Sequence, residues 1–291
     1  PSDRGWLMAQ AKRAGFDVEI LEQAGLVTRP EDHPTLARER FRGRLIFPIR
    51  DFQGRTIGFG GRILPEFERE MVARGKNVAK YLNSPETLLF QKRKILYAAD
   101  LSRTACREAG WVAVVEGYTD VIAAHQAGIG NVVGTLGTAL GDDHLVALRR
   151  LADRVVLIFD GDTAGQKAAD RSLELFLGHE VDLRVLSLPG DLDPCDFLHR
   201  EGAEAFRALI DRAVDPLAFL LARSRERFDY GSLEGATRAA DWVLSILARV
   251  PVGHRPGLNV QDVKLAKTLD TLSHRLGIDV NTLREKLKRL R

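Results

Sequence analysis

Residues 111–120 read Trp111-Val112-Ala113-Val114-Val115-Glu116-Gly117-Tyr118-Thr119-Asp120, and this stretch decides the fold. Five successive apolar residues predict a strand buried on both faces, as in a parallel sheet. An acid and a glycine follow at once. Apolar positions at helical spacing over Thr119–Ala127 then predict a helix that stops at Gly128. The alternation continues downstream: Asn131–Gly134, Arg154–Phe159 and Val181–Leu188 read as strands, with helices over Asp142–Leu151 and Ala164–Leu177 between them. Strand and helix in strict alternation predict an α/β fold with a parallel sheet covered by helices.

Outward from this centre the pattern changes on both sides. Upstream, Leu7–Ala14 and Val18–Ala24 have helical spacing, with Gly15 and Gly25 as stops. Leu45–Ile49 and Thr56–Phe59 flank Asp51-Phe52-Gln53-Gly54-Arg55, which predicts a hairpin turning at Gly54. Residues 65–80 read as an exposed loop and 86–104 as a short helix. Downstream of Asp215 the chain reads as wholly helical, with amphipathic runs at Pro216–Phe228, Leu233–Leu247, Val260–Leu276 and Val280–Leu290. The expected division is an N-terminal α+β subdomain over 1–109, a parallel-sheet subdomain over 110–215, and a helical subdomain over 216–291.

Composition excludes several classes. The chain has 291 residues, 45% hydrophobic and 29% charged, as in a water-soluble globular protein. It holds no apolar run of the ~18 residues a membrane span requires. The first residues lack the order of a signal peptide, and with no initiator Met the chain reads as a fragment. Two cysteines, Cys106 and Cys195, are too few for a disulfide framework or a zinc ribbon, and the seven histidines are scattered. No zinc is expected, and a reducing cytoplasm is. Charge is strongly partitioned: residues 1–110 hold 20 Lys and Arg against 14 acids, 111–215 hold 9 against 18, and 216–291 hold 14 against 8. An acidic middle between basic ends suits a centre that gathers divalent metal and grips a polyanion beside it.

The acids of that middle fall where chemistry is expected. Ligands of open α/β sheets bind beyond the carboxyl ends of the strands. Glu116 follows the first strand, and Asp160-Gly161-Asp162 follows the third. Gly117 and Gly161 allow close backbone approach beside the carboxylates. Converging carboxylates repel one another and stay ionised only among cations; hard oxygen donors suit magnesium or manganese. The chemistry this supports is metal-assisted phosphoryl transfer.

Glu after one strand with Asp-x-Asp after a later one resembles the Toprim domain. The surrounding words resemble the bacterial DnaG-type primases more closely: Val115-Glu116-Gly117-Tyr118-Thr119-Asp120, Thr135-Leu136-Gly137-Thr138-Ala139-Leu140 and Phe159-Asp160-Gly161-Asp162-Thr163-Ala164-Gly165. So do Arg44-Leu45-Ile46-Phe47-Pro48-Ile49, Gly58-Phe59-Gly60-Gly61-Arg62 and Lys80-Tyr81-Leu82-Asn83-Ser84-Pro85-Glu86-Thr87. The six words lie between about residues 38 and 200, in the family's order.

The resemblance implies a Toprim-type sheet and a polymerase core that makes short RNA primers on a single-stranded DNA template from ribonucleoside triphosphates. It implies Mg2+, with Mn2+ as a substitute. Glu116, Asp160 and Asp162 take the catalytic positions, and Asp120 and Asp193 join them at the metal site. Cys195 stands where the family has a second Asp, and Asp196 beside it is the alternative oxygen donor. Arg62, Lys80, Tyr81, Asn83 and Lys92 match the family's template- and nucleotide-binding surface, where basic side chains would hold phosphates and Tyr81 would stack on a base or pack in a hinge strand. Residues 38–62 hold seven arginines against two acids beside these words. The replicative helicase and single-strand-binding protein are implied partners through regions absent from this chain.

Two rivals stay open: another Toprim enzyme, such as a topoisomerase or nuclease, and a non-catalytic DNA-binding module. The four tyrosines occupy none of the topoisomerase words, and the acidic trio is intact.

Overall fold

The computed structural model describes residues 5–30, 33, 35–160, 174–175, 177–190, 192–250 and 260–291. The expected helix over Ala164–Leu177 lies mostly outside the described residues, as do Gly161 and Asp162. The chain divides into two compact units, Pro1–Leu101 and Ser102–Arg291.

The first unit begins with α1 (Trp6–Arg13) and α2 (Val18–Gln23), followed by a small ladder of β1 (Val27–Thr28) and β2 (Arg38–Glu39). Ala11, Leu21 and Val27 form a small core beneath them. The hairpin is β3 (Arg44–Arg50) antiparallel to β4 (Thr56–Ile63). Gly54 sits at its tip with φ 81°, a backbone conformation that costs a residue with a Cβ about 1 kcal/mol. Asp51 Oδ1 closes the turn by accepting from the N–H groups of Gln53 and Arg55. A third strand, β5 (Tyr81–Asn83), pairs with the other edge of β4, opposing Arg62 to Tyr81 and Gly60 to Asn83.

Two expectations fail here. The loop expected over residues 65–80 contains α3 (Pro65–Ala73), started by Pro65 in the first turn with Glu66 and Glu68 near its positive end. Its apolar stripe is short, Phe67 and Met71 being half-buried while the rest of the helix is exposed, so its polar composition reads as a loop. Conversely, the helix expected over 86–104 begins only at α4 (Ala99–Ala109), preceded by a single 3-10 turn at Lys92–Lys94. Pro85 and the bonds of the Thr87 hydroxyl to the N–H groups of Leu89 and Phe90 hold that stretch in a turn, with Phe90 buried and Leu88 fully exposed.

The second unit is the expected parallel sheet, ordered β7-β6-β8-β9: β6 (Trp111–Val115), β7 (Val132–Gly134), β8 (Arg154–Phe159) and β9 (Asp182–Ser187). All three neighbouring pairs are parallel. The central strands β6 and β8 are buried almost throughout, so their apolar runs need no alternation. Helices α5 (Tyr118–Gln126) and α6 (Asp142–Leu148) follow β6 and β7. An unexpected helix, α7 (Pro194–Asp211), packs along α5. It is capped by Asp193 and kinked at Gly202.

The expected helical run follows as α8 (Pro216–Arg227), α9 (Leu233–Leu247), α10 (Val260–Leu276) and α11 (Val280–Leu290). Asp215, Ser232 and Asp279 cap α8, α9 and α11 by accepting backbone N–H bonds, each worth about 1 kcal/mol. Their apolar stripes meet in one core that includes Leu220, Leu244, Leu272 and Leu283. Truncating a fully buried leucine such as Leu244 to Ala would cost about 3 kcal/mol.

Candidate acidic catalytic centre and basic strand edge

The register of the second unit's sheet brings the strand ends to one edge. Val114 is level with Leu157 and Val115 with Gly134, so Glu116 and Asp160 leave neighbouring strands about one residue apart in height. Glu116 is exposed and Asp160 half-buried.

Asp120 is held differently. Its carboxylate is 6% exposed and sits on the first turn of α5. Oδ2 accepts from the N–H of Gly117 at 3.0 Å, and Oδ1 from the N–H of Cys195 at 3.2 Å, 75 residues away. Gly117 is required for the first bond, since a Cβ there would lie 2.5 Å from Oδ2. Burial pushes the Asp120 carboxyl up to about 6, and the negative charges of Asp193 and Glu116 push the same way; the two N–H donors oppose them. Three of the expected ligands therefore share one electrostatic neighbourhood.

Asp193 caps α7 by accepting from the N–H of Asp196 at 2.7 Å. Asp196 itself is exposed, and Asp193 is the acid whose charge reaches Asp120. Cys195 is half-buried and in no disulfide, and its backbone N–H donates to Asp120. Asp162, expected as the third catalytic acid, lies outside the described residues.

Among the described residues no three His, Cys, Asp or Glu side chains close on one point as a finished metal cage. The donor set nonetheless fits a hard divalent cation. It consists of carboxylate oxygens, one of them buried among like charges that a cation would relieve.

Residues Thr135–Leu140 form a tight turn beside these acids. The backbone N–H of Thr135 donates to Val115 O at 3.1 Å, and the Thr138 hydroxyl donates to Thr135 O at 2.7 Å. Between them Leu136 and Gly137 are both left-handed, with φ 60° and 68°. A buried leucine in that region costs of order 1 kcal/mol or more, which marks a turn held in place by its surroundings. Glu116, Thr135, Thr138 and Phe159 line a pocket at this same edge.

In the first unit, the residues expected to bind template and nucleotide lie on β4, β5 and the following loop. The Arg62 guanidinium is 5.7 Å from the centre of the Tyr81 ring, and the two are register partners. Lys80 is exposed at the start of β5, and its carbonyl accepts from the N–H of Ile63. Asn83 ends β5, and Lys92 stands apart in the 3-10 turn with its N–H on Glu86 Oε1.

The arginine run is not simply a solvated face. Arg44 donates to the carbonyls of Ala79, Lys80 and Gly61 at 2.7, 3.2 and 3.0 Å, and Arg40 reaches the Asn83 carbonyl at 3.1 Å. Both guanidiniums are half-buried, which lowers their pKa. Arg50 and Arg55 pair with Asp100 and Asp51. Gly61 lets this arrangement exist, since a Cβ there would lie 2.9 Å from Phe41 and 3.0 Å from Arg44. Arg44 thus ties Ala79 and Lys80, just before β5, to the hairpin, and Arg40 ties Asn83 at its end to the segment after β2.

Comparison with known proteins gives a consistent answer. Residues 1–103 match the family described as DNA primase catalytic core, N-terminal domain, and residues 113–198 match the Toprim-like family. A DNA primase of Streptomyces coelicolor is 36% identical over 278 residues, covering 93% of this chain and 42% of the relative. A DNA primase of Staphylococcus aureus is 38% identical over 199 residues, covering 68% of this chain and 31% of the relative. The chain thus spans between about a third and two fifths of these relatives. Among solved structures, a DNA primase domain from Pseudomonas aeruginosa superposes with a TM-score of 0.80 at 36% identity, covering 98% of this chain and 84% of that one. The Escherichia coli primase catalytic core gives 0.75 at 34% identity, with 96% and 83% covered. A DnaG primase catalytic domain bound to single-stranded DNA gives 0.75 at 34%, with 97% and 83% covered. From its hairpin unit through its Toprim-type parallel sheet, this chain belongs to the bacterial DnaG-type primase family, in the region of the catalytic core.

Proposed function

We propose that the chain carries out metal-dependent, template-directed synthesis of short RNA primers on single-stranded DNA. The observation that carries this reading is the buried Asp120 carboxylate, crowded by Asp193 and Glu116 at the sheet edge where Asp160 also ends a strand. Such a cluster has little structural value, because like charges held together out of water destabilise the fold unless a cation joins them.

Glu116, Asp120, Asp160, Asp162 and Asp193 are the proposed ligands of magnesium, with manganese as a substitute. When bound, the metal supplies charge neutralisation at the reacting phosphate and a more acidic attacking hydroxyl. The protein's own groups do the rest. Glu116, exposed at the strand end, is the proposed acceptor of the proton of the 3′-hydroxyl that attacks the α-phosphate of the next ribonucleoside triphosphate, with pyrophosphate leaving. The bonds from Gly117 and Cys195 hold Asp120 in one orientation before substrate arrives. Arg62, Lys80, Asn83 and Lys92 are proposed to hold template and triphosphate phosphates, and Tyr81, backed by Arg62, to stack on a base.

In this reading residues 1–109 serve as the template- and nucleotide-binding part, 110–215 as the catalytic part and 216–291 as the helical part. The replicative helicase and single-strand-binding protein are proposed partners of the longer protein, at a replication fork in the cytoplasm. Among the described residues no helix is long and apolar enough to cross a membrane.

A primer-synthesis assay tests this, with single-stranded DNA, ribonucleoside triphosphates and magnesium. Labelled oligoribonucleotides that require both template and magnesium are expected. Relaxation of supercoiled DNA without nucleotides would overturn the reading, and so would full activity in Asp160→Asn.

A further inference from the structure

Outside the acidic centre, the described surface of the second unit carries one group of arginines treated unlike the rest. On α8, Arg223 and Arg227 are four residues apart and therefore share a face. Both guanidiniums lie over the ring of Trp242 on α9, at 6.0 and 5.4 Å from its centre. Phe228 is stacked at a tilt against the same indole, 6.4 Å away. Arg225 lies over Tyr230 at 5.2 Å, and the Tyr230 hydroxyl is anchored on the Leu221 carbonyl.

Two of these arginines, Arg225 and Arg227, are exposed. Among the described residues Arg225 and Arg227 make no ion pair, whereas Arg238 and Arg249 of the same helical region do. The acids nearby are mostly engaged elsewhere: Asp229 bonds the N–H of Gly231, and Asp241, next to Trp242, pairs with Lys286 of α11. Glu226 is the one exposed acid between the arginines. Residues 216–291 as a whole hold 14 Lys and Arg against 8 Asp and Glu.

Arginines held beside aromatic rings lose less freedom when they bind, and their guanidinium fork matches a phosphate. The rings beside them pack against the helical core and leave part of their surface open to bases. A solubilising surface needs neither feature, and lysine would serve it equally well. An acidic protein segment would use the charges but not the rings.

We infer that Arg225 and Arg227, with Trp242 and Tyr230, form a sequence-independent contact for single-stranded nucleic acid, separate from the acidic centre. The proposed function enters only in the choice of ligand. A chain that binds through this patch yet makes no primer would refute that function and leave this inference standing.

The test is fluorescence anisotropy with a labelled oligothymidylate of about 30 nucleotides, without metal or nucleoside triphosphate, over a range of salt. Each lost phosphate contact lowers the log–log salt slope by about 0.7 for a single strand. Arg225→Ala/Arg227→Ala is therefore expected to reduce the slope by about 1.4 and to bind about 25-fold more weakly near 0.1 M salt. Arg225→Lys/Arg227→Lys keeps the charge and should retain most of the slope while losing affinity. A purely structural role would lower the melting temperature and leave the slope alone. If the Ala variant melts early, Arg225→Gln/Arg227→Gln is read the same way. Unchanged affinity and slope in a folded variant would overturn the inference. So would competition by polyglutamate as effective as by unlabelled oligothymidylate, which would assign the patch to an acidic protein.

Discussion

Replacing Asp120 with Asn measures how strongly the acids of the centre bear on one another. Burial first, then the charges of Asp193 and Glu116, raise its carboxyl from the ordinary 3.8 to about 6. A carboxyl raised in this way binds its proton more tightly in the folded chain than in the unfolded one. Its contribution to stability is complete below the unfolded value and is lost as pH rises through the folded one. The full loss is about 3 kcal/mol, at about 1.4 kcal/mol per unit. Between about pH 5 and pH 7.5 the part lost is about 1.4 kcal/mol.

Urea unfolding of metal-free wild type and Asp120→Asn at those two pH values isolates the effect, because the other titrations largely cancel in the difference. The Asn variant should gain about 1.4 kcal/mol relative to wild type on going to the higher pH. Asp193→Asn should shrink that gain by removing the larger of the two negative neighbours. Saturating manganese should abolish that gain, since a bound cation keeps the carboxylate ionised at both pH values and leaves no proton to lose on unfolding. A wild type–variant difference that stays constant with pH would refute the shared electrostatic neighbourhood, and with it the argument for a cation there.

Other consequences are simpler to measure. Asp160→Asn should lower primer synthesis by a factor of about 100 or more while leaving oligonucleotide affinity within about twofold, as read by anisotropy. Arg44→Lys gives up the planar fork that spans three carbonyls and should cost about 2 kcal/mol in urea unfolding, with template affinity falling as β5 loosens. Gly61→Ala places a Cβ against Phe41 and Arg44 and should destabilise by about 1 to 3 kcal/mol; an unchanged denaturation midpoint would mean that this contact relaxes freely.

Much of the fold was legible because the relevant forces are local or composition-wide. The apolar runs of β6, β8 and β9 announce a sheet buried on both faces without any partner being known. The Asp and Ser caps before α8, α9 and α11 fall where sequence places helix starts. Two elements escaped for physical reasons. α3 carries only a short half-buried stripe, Phe67 and Met71, within a mostly charged segment, while the stretch after Pro85 has the apolar content of a helix but is turned by the Thr87 hydroxyl.

At the site, residue identity and strand-end position singled out Glu116 and Asp160, and the family words added Asp120. What each acid experiences was not readable. Asp120 accepts from a backbone N–H 75 residues away, and Asp193 serves both as the cap of α7 and as the charge that raises Asp120. The seven arginines of 38–62 look alike in sequence, yet Arg40 and Arg44 spend their guanidiniums on carbonyls of the strand edge. By itself, the sequence determined the parallel sheet, the family words and the acids at the strand ends, because periodicity and residue chemistry act within a few residues. Only the tertiary structure decided which acid is buried, which arginines are structural and which stack on rings. Burial, desolvation and stacking depend on groups that meet only when distant segments pack together.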